Sequence, residues 1–143
     1  MARTRKKEPP PAQRLILDSG AVIALARGDQ HARAFLARAL DLRAPVEVPI
    51  VVVAETIRGN ARDARVNRIL NAVGESPTAT EEIGRTAGSL LGNAASTATV
   101  DALVVAQAIL GGGALILTSD PDDLGRLASR HPEVVIRATA KLA

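Results

Sequence analysis

The sequence predicts an α/β fold in which a short, mainly parallel sheet has helices on both faces. Short apolar runs have the pattern of strands buried on both faces, and segments with helical spacing of apolar residues separate them. The chain has 143 residues, of which 47% are apolar, which is enough for one domain with a sizeable core. A single layered domain is therefore the expected architecture.

The first predicted strand is the apolar run at 15–17, which ends in the carboxylate of Asp18. The Ala-rich segment after it predicts a helix over 19–27 that stops at Gly28. Asp29 is the expected N-cap of a second helix, which has an apolar stripe on one side and arginines on the other. The chain is therefore predicted to open as strand, helix, helix.

A second strand is predicted at 46–48, directly before Pro49. Proline is tolerated at a helix start but not inside a ladder, so a helix is expected from about 50 to 58. Apolar residues recur at helical spacing over 61–73, and Thr80 begins a further helix that runs to about residue 92. The middle of the chain is therefore predicted to be mostly helical.

The last third alternates helix and strand. Thr99 is expected to cap a helix through Leu110 that is apolar on nearly every side, as helices buried in layered domains are. A buried strand at 114–117, a helix over 120–129 and a final strand at 134–136 follow. These strands complete the predicted parallel sheet.

Charge divides the chain into two parts. Residues 1–14 hold five basic residues and one acidic residue, whereas the other 129 residues hold 13 basic and 14 acidic residues. Residues 1–13, which include three consecutive prolines, are predicted to be a mobile basic arm, and residues 14–143 a single domain. A near-neutral body is not typical of a protein that binds nucleic acid over its whole surface.

Composition excludes several functional classes. The chain has no cysteine, so disulfide frameworks, thiolate metal sites and Cys nucleophiles are excluded. Phe35 is its one aromatic residue, which argues against a platform for base stacking. No segment approaches the roughly 20 apolar residues of a membrane span. We therefore expect a soluble, cytoplasmic protein without a membrane partner.

Four carboxylates far apart in sequence are expected at one edge of the sheet. Asp18 ends the first strand, and Asp120 lies just beyond the strand at 114–117. Glu55 is on the helix after the second strand, and Asp101 lies one turn into its helix. Ligands of such sheets bind at the carboxyl ends of the strands, so these acids are candidates for one shared site.

Each acid also has a purely structural interpretation, although none of these explains why all four fall at one edge. The alternatives are an N-cap at Asp18, an ion pair of Glu55 with Arg58, a favourable helix-dipole position for Asp101, and a capping box of Asp120 with Asp123.

A shared acidic site needs a neutralising partner. Two carboxylates about 4 Å apart repel by roughly 4 kcal/mol at an effective dielectric near 20. Cysteine is absent, and His31 and His131 are both expected outside this edge, so the ligands are all oxygen. Oxygen ligands favour Mg²⁺ or Mn²⁺ over Zn²⁺, and such an ion activates water and orients a phosphodiester.

Four blocks of the sequence, in their order and spacing, resemble the PIN domain, and specifically the VapC-type toxin ribonucleases of prokaryotic toxin–antitoxin modules. The resemblance covers roughly 15–137 and implies a PIN-like three-layer α/β/α fold; it departs at Ser19, where the family more often has Thr or Asn. The blocks are Leu15-Ile16-Leu17-Asp18-Ser19, the segment from Val48-Pro49 to Ala54-Glu55, Asp101-Ala102-Leu103, and Leu117-Thr118-Ser119-Asp120-Pro121-Asp122-Asp123-Leu124.

The resemblance implies an endoribonuclease that depends on Mg²⁺ or Mn²⁺. It implies that the four acids hold the metal as the catalytic quartet, with a further acid and one of two hydroxyls in support. It also implies an RNA substrate, a cognate antitoxin and a homodimer. The quartet is Asp18, Glu55, Asp101 and Asp120, the accessory acid is Asp123, and the hydroxyl is that of Thr118 or Ser119.

A row of arginines follows the segment that carries Glu55 and is a candidate guide for the phosphate backbone of RNA. Its alternative interpretation is a solvated helix face, since charge runs usually are solvated. The row consists of Arg58, Arg62, Arg65 and Arg68.

Other proteins with acidic sheet edges fit the sequence less well. A phosphoacceptor receiver domain needs a lysine near the site, but the lysines are at 6, 7 and 141. An aspartyl phosphohydrolase needs an acid two places after Asp18, where Gly20 stands, and no Walker loop occurs. A catalytically silent PIN-like module that binds RNA or protein remains as the alternative from a different functional class.

Overall fold

The structure is a computed structural model that describes residues 13–139, so all of the predicted arm except its last residue lies outside this range. The elements, in chain order, are β1 (Leu15–Leu17), α1 (Ser19–Ala26), α2 (Gln30–Asp41), β2 (Val46–Glu47), α3 (Ile50–Thr56), a 3₁₀ helix (Ala61–Asp63), α4 (Ala64–Val73), α5 (Glu81–Ala94), α6 (Thr99–Leu110), β3 (Ala114–Thr118), α7 (Pro121–Leu127) and β4 (Val134–Ala138).

The strands form one four-stranded parallel sheet in the order β2-β1-β3-β4. β1 pairs with both β2 and β3, so its carboxyl end lies in the middle of the sheet edge. Helix α1 packs against α2, α3 and α4, and α6 packs against α5 and α7. The predicted fold, a short parallel sheet within layers of helices, is confirmed.

The centre of the core explains the apolar runs. Ile16 and Leu17 of β1 and their neighbours Ile116 and Leu117 of β3 are fully buried. Consecutive residues of a strand point to opposite faces, so strands covered on both faces need apolar residues at every position. Helix α6 is similarly buried from Val104 to Ala108, which agrees with its lack of a polar face.

Two predicted helix boundaries are wrong. The helix after β2 ends at Thr56, because the backbone becomes extended at Ile57 and the Thr56 hydroxyl donates to the carbonyl of Val52 at 2.9 Å. Thr99 is the first helical residue of α6 rather than its cap. Ala98 holds the cap position there and offers no side-chain oxygen.

A buried carboxylate holds the loop between α3 and α4. Asp63 accepts the backbone N–H groups of Arg58 at 3.0 Å, Gly59 at 2.7 Å and Asn60 at 3.2 Å. These hydrogen bonds, above all the one from Arg58, hold the pKa of Asp63 below its ordinary value. Asp63 thereby fixes the chain that leaves the helix carrying Glu55.

Helix α1 approaches the end of β3 so closely that position 20 must be glycine. A Cβ atom on Gly20 would overlap Ser119 Oγ and lie 2.7 Å from Ser119 Cβ. We expect Gly20→Ala to lower the free energy of unfolding by roughly 1 to 3 kcal/mol, because overpacking forces the backbone to move. Urea unfolding measures this change.

Gly84 provides the matched control for this substitution. It lies within α5, and a Cβ there would meet nothing within 4 Å. Gly84→Ala should stabilise the protein by up to about 1 kcal/mol through helix propensity. Equal effects of the two substitutions would contradict the close packing of α1 on β3.

No single helix in residues 13–139 is long and apolar enough to cross a membrane. Helices α5 and α6 reach the required length and hydropathy only as a pair that is bent by 117°.

Candidate functional site

The four predicted acids line one cavity of about 200 Å³ at the carboxyl edge of the sheet, here called the acid cavity. Its lining contains no basic side chain. The lining residues are Asp18, Ser19, Gly20, Val52, Glu55, Val100, Asp101, Val104, Ser119 and Asp120.

Four separate elements bring these carboxylates together. Asp18 follows β1 and is the N-cap of α1, where it accepts the backbone N–H of Ala21 at 2.9 Å. Asp120 follows β3 in the cap position of α7. Glu55 lies in the last turn of α3, and Asp101 lies in the first turn of α6. The parallel sheet therefore collects acids that the sequence separates widely.

Asp18 is the most buried of the four, with 7% of its surface exposed. Its pKa is raised from 3.8 to about 6, mainly by burial, and the negative charges of Asp101 and Glu55 contribute to this shift. Hydrogen bonds from the Thr118 hydroxyl and the Ala21 amide oppose this shift only in part. A carboxylate in this position is costly unless a cation compensates its charge.

Asp101 has the same tendency. Burial raises its pKa, and the charges of Asp123, Asp120 and Glu55 add to that shift. Asp123 is not among the residues that line the acid cavity, but its charge reaches Asp101. The accessory acid of the sequence prediction therefore lies next to the four acids without joining them on the cavity wall.

Hydroxyl groups position two of the acids. The Ser19 hydroxyl donates to Glu55 Oε1 and so connects the start of α1 to the last turn of α3. The buried Thr118 hydroxyl accepts the backbone N–H of Asp120 at 2.9 Å. The sequence analysis gave Ser19 no role, since only the fold brings it next to Glu55, 36 residues away.

The structural alternatives for the acids have different outcomes. The N-cap at Asp18 exists, and Asp18 nevertheless lines the acid cavity. The ion pair of Glu55 with Arg58 is not formed, because the Arg58 guanidinium donates to the carbonyls of Ala54 and Ile57 at 3.1 and 2.9 Å. Asp120 makes no side-chain cap on α7, so a capping box with Asp123 is not formed. Asp101 does lie in the first turn of α6, the favourable helix-dipole position, and it also lines the acid cavity.

The acid cavity offers oxygen donors without a preformed cage. Within residues 13–139, no three acidic or histidine side chains stand close enough to one another to hold an ion together. Mg²⁺ commonly keeps several of its waters and uses one or two carboxylates together with substrate phosphate oxygens. Buried carboxylates with raised pKa values, in a cavity without a basic group, fit such a hydrated ion.

Neither histidine belongs to this cavity. His31 packs against Phe35 with ring centroids 5.2 Å apart, and His131 Nδ1 lies 3.2 Å from Glu133 Oε1. The donors around the acid cavity are therefore all oxygen, as the sequence predicts.

The predicted row of arginines divides in the structure. The Arg58 guanidinium turns back onto its own chain, and Arg62 is exposed in the 3₁₀ helix. Arg65 and Arg68 instead line a second cavity together with Arg27 and Arg33, which the sequence analysis did not connect with them.

The fold and the site define a class of protein. It is a single α/β/α domain in which acids from four elements lie at the carboxyl edge of the sheet. The sequence matches the family model of the PIN domain over residues 15–129. The chain belongs to the PIN domain family. A comparison with curated proteins gives no match.

Solved structures share this fold at low sequence identity. VapBC2 from Rickettsia felis, bound to a DNA fragment from its promoter, has a TM-score of 0.68 and 13% identity, with 87% of this chain and 98% of that chain covered. FitAcB from Neisseria gonorrhoeae has a TM-score of 0.65 and 16% identity, covering 90% and 99%. A toxin–antitoxin complex from Klebsiella pneumoniae has a TM-score of 0.63 and 19% identity, covering 85% and 95%.

Proposed function

We propose that this protein is a VapC-type toxin, an endoribonuclease that requires Mg²⁺ or Mn²⁺. The observation that carries the proposal is the acid cavity, in which four carboxylates from four elements meet at the carboxyl edge of a parallel sheet without a basic neighbour. Membership of the PIN domain family and the toxin–antitoxin complexes among the structural neighbours support it.

Asp18, Glu55, Asp101 and Asp120 line the cavity, and one or two of these carboxylates would bind the ion directly while the others face its bound waters. An ion bound there supplies a water of lowered pKa and stabilises negative charge on the phosphate oxygens. The ion would supply the attacking water, so the carboxylates that line the cavity would bind and orient the ion rather than attack the phosphate themselves.

The remaining side chains have positioning roles in this proposal. Ser19 orients Glu55 through its hydrogen bond, and Thr118 holds the backbone at Asp120. Ser119 presents its hydroxyl at the cavity wall, and Asp123 adds negative charge beside Asp101. Each keeps a metal-binding acid in place or strengthens the field that attracts the ion.

A cognate antitoxin and a second copy of the chain are the proposed protein partners. The solved neighbours include toxin–antitoxin complexes. Leu40 and Leu42, at the end of α2 and just after it, are 49% and 54% exposed, and a protein partner would cover such apolar side chains.

The experiment is an assay of RNA cleavage by the purified protein, freed of any bound partner. We expect cleavage of a mixture of cellular transcripts when Mg²⁺ or Mn²⁺ is supplied and none in excess EDTA, because the carboxylates alone repel the phosphate. Restoring the metal after EDTA treatment should restore cleavage. Cleavage that is unaffected by EDTA would contradict a metal-dependent mechanism.

A catalytically silent module predicts a different result. It would bind RNA or an antitoxin but leave transcripts intact at every concentration of metal. Growth of a bacterial host that expresses the protein also distinguishes the two functions. A toxin arrests growth, and co-expression of its antitoxin relieves the arrest. A silent module leaves growth unchanged with or without the antitoxin.

A further inference from the structure

A second cavity, of about 310 Å³, is surrounded by four arginines and is here called the arginine cavity. Arg27 follows α1, Arg33 is on α2, and Arg65 and Arg68 are on α4. No acidic side chain lines this cavity, and none of the four arginines forms an ion pair within residues 13–139. Four arginines, two on α4, one on α2 and one just after α1, therefore line one cavity that no acidic residue lines.

One of these guanidinium groups lies against the turn between α1 and α2. A Cβ on Gly28 would lie 3.4 Å from Arg33 Nη2 and 3.6 Å from its Cζ, so the guanidinium is within ordinary contact distance of this turn. Gly28 has a φ of +86°, which L side chains rarely adopt, so the backbone of the turn favours glycine. The Arg33 guanidinium is thereby placed at the wall of the cavity that Arg27 also lines.

Overall basicity does not explain this cluster. Residues 15–143 hold 13 basic and 14 acidic residues, so net charge does not account for four arginines around one cavity whose lining contains no acid. A helix C-terminus attracts cations, which accounts for Arg27 alone. The other three increase mutual repulsion unless an anion is bound. Guanidinium groups match the oxygens of a phosphate group, to which each donates two parallel hydrogen bonds.

Helix α1 connects the two cavities. Ser19, its first residue, lines the acid cavity, and Ala26, its last, lines the arginine cavity. Eight helical residues span about 12 Å. A nucleic-acid strand carries phosphates at regular intervals, so one strand is long enough to place phosphates at both ends of α1, whereas a free anion fills only one cavity.

We propose that the arginine cavity binds a backbone phosphate of the RNA strand at a distance from the scissile bond. This inference rests on the proposed ribonuclease function and adds a second contact to it. The strand lies along α1, with one phosphate held by the arginines while another is presented to the acids. The arginine cavity thus sets the direction and register of the RNA across the acid cavity.

The test measures binding of fluorescein-labelled polyuridine to the full chain carrying Asp18→Asn, in EDTA, as a function of salt. One pair of substitutions, Arg27→Gln with Arg33→Gln, alters the α1–α2 side of the arginine cavity, and another, Arg65→Gln with Arg68→Gln, alters the α4 side. Arg38→Gln with Arg130→Gln removes the same charge outside both cavities and is the matched control. Melting temperatures check that all variants fold.

The slope of log affinity against log salt is negative, and each arginine-cavity pair should make it less steep by about 0.7, as expected for one lost contact with a single-strand phosphate. Binding at about 0.1 M salt then weakens roughly fivefold more than binding at 1 M salt. The pairs hold the same phosphate, so combining them should weaken binding little beyond either pair alone. The control pair should leave the slope unchanged.

Four outcomes would overturn this inference. Equal changes in the control pair would mean that general charge, not the cavity, binds RNA. Unchanged RNA binding together with weakened binding of the antitoxin would assign the cavity to a protein partner. If the Asp18→Asn protein binds no RNA at all, the proposed function fails as well. If the protein with Asp18 intact cleaves RNA but the arginine-cavity pairs leave the salt slope of RNA binding unchanged, this inference alone fails.

Discussion

We expect Asp18→Asn to abolish RNA cleavage and to leave the fold intact. Asparagine has nearly the same volume and is as good an N-cap as aspartate, so the hydrogen bond from the Ala21 amide is retained. The charge that would hold the ion is lost. Loss of an outer-shell partner of a metal ligand typically costs about 10- to 100-fold, and loss of a ligand itself should cost more. Cleavage rates at saturating Mg²⁺ or Mn²⁺ measure this effect.

Asp29→Asn is the matched control for this substitution. Asp29 caps α2 just as Asp18 caps α1, and it accepts the backbone N–H of Ala32 at 2.7 Å. It does not line the acid cavity. We expect Asp29→Asn to cleave RNA at the wild-type rate. Cleavage of RNA by Asp18→Asn at the wild-type rate would show that the acid cavity does not take part in cleavage.

Without divalent ions, ionisation of Asp18 should make the folded protein less stable as the pH rises from about 4 to about 7. The pKa of Asp18 is raised from 3.8 to about 6, mainly by burial. Below about pH 3 this carboxyl is neutral in both the folded and unfolded states and carries no penalty. Above its folded pKa, the charged form is buried at a cost of about 3 kcal/mol.

The comparison of wild type with Asp18→Asn isolates this contribution from those of other acids, such as Asp63, whose lowered pKa has the opposite effect. Urea unfolding in EDTA across this pH range should show the variant gaining about 3 kcal/mol relative to wild type. A relative stability that does not change with pH would show that Asp18 carries no buried charge. Mg²⁺ or Mn²⁺ should stabilise wild type and have little effect on the variant, since an ion that binds only the folded state stabilises it.

Asp101→Asn should raise the melting temperature in EDTA for the same reason, because burial and three neighbouring carboxylates raise the pKa of Asp101. A lower melting temperature would instead indicate that Asp101 stabilises the first turn of α6 through the helix dipole.

The fold could be predicted because its strands and helices have strong local patterns. The uninterrupted apolar runs of β1 and β3 can be buried on both faces, and only a sheet covered by helices does this. The ends of the helices were harder to predict, because they depend on local hydrogen bonds. Thr56 ends α3 through contacts with its own helix, and Asp63 fixes the following loop through three amides that no sequence pattern identifies.

The positions of the four acids could be expected from topology, since acids at the ends of parallel strands share one edge. Their supports could not be predicted, because these depend on side-chain contacts across the fold. Ser19 finds Glu55 only after α1 and α3 pack together. Arg27 and Arg33 likewise join Arg65 only where α4 packs against α1, a contact between segments about 40 residues apart.

The most direct test of this account is the anomalous X-ray scattering of Mn²⁺ in crystals of the protein. The account predicts a peak inside the acid cavity, with a carboxylate oxygen of Asp18 or Asp101 about 2 Å away. The peak should be absent in crystals of Asp18→Asn grown with the same ion. The account would be contradicted if wild-type crystals showed no anomalous density in the acid cavity at a Mn²⁺ concentration that supports cleavage.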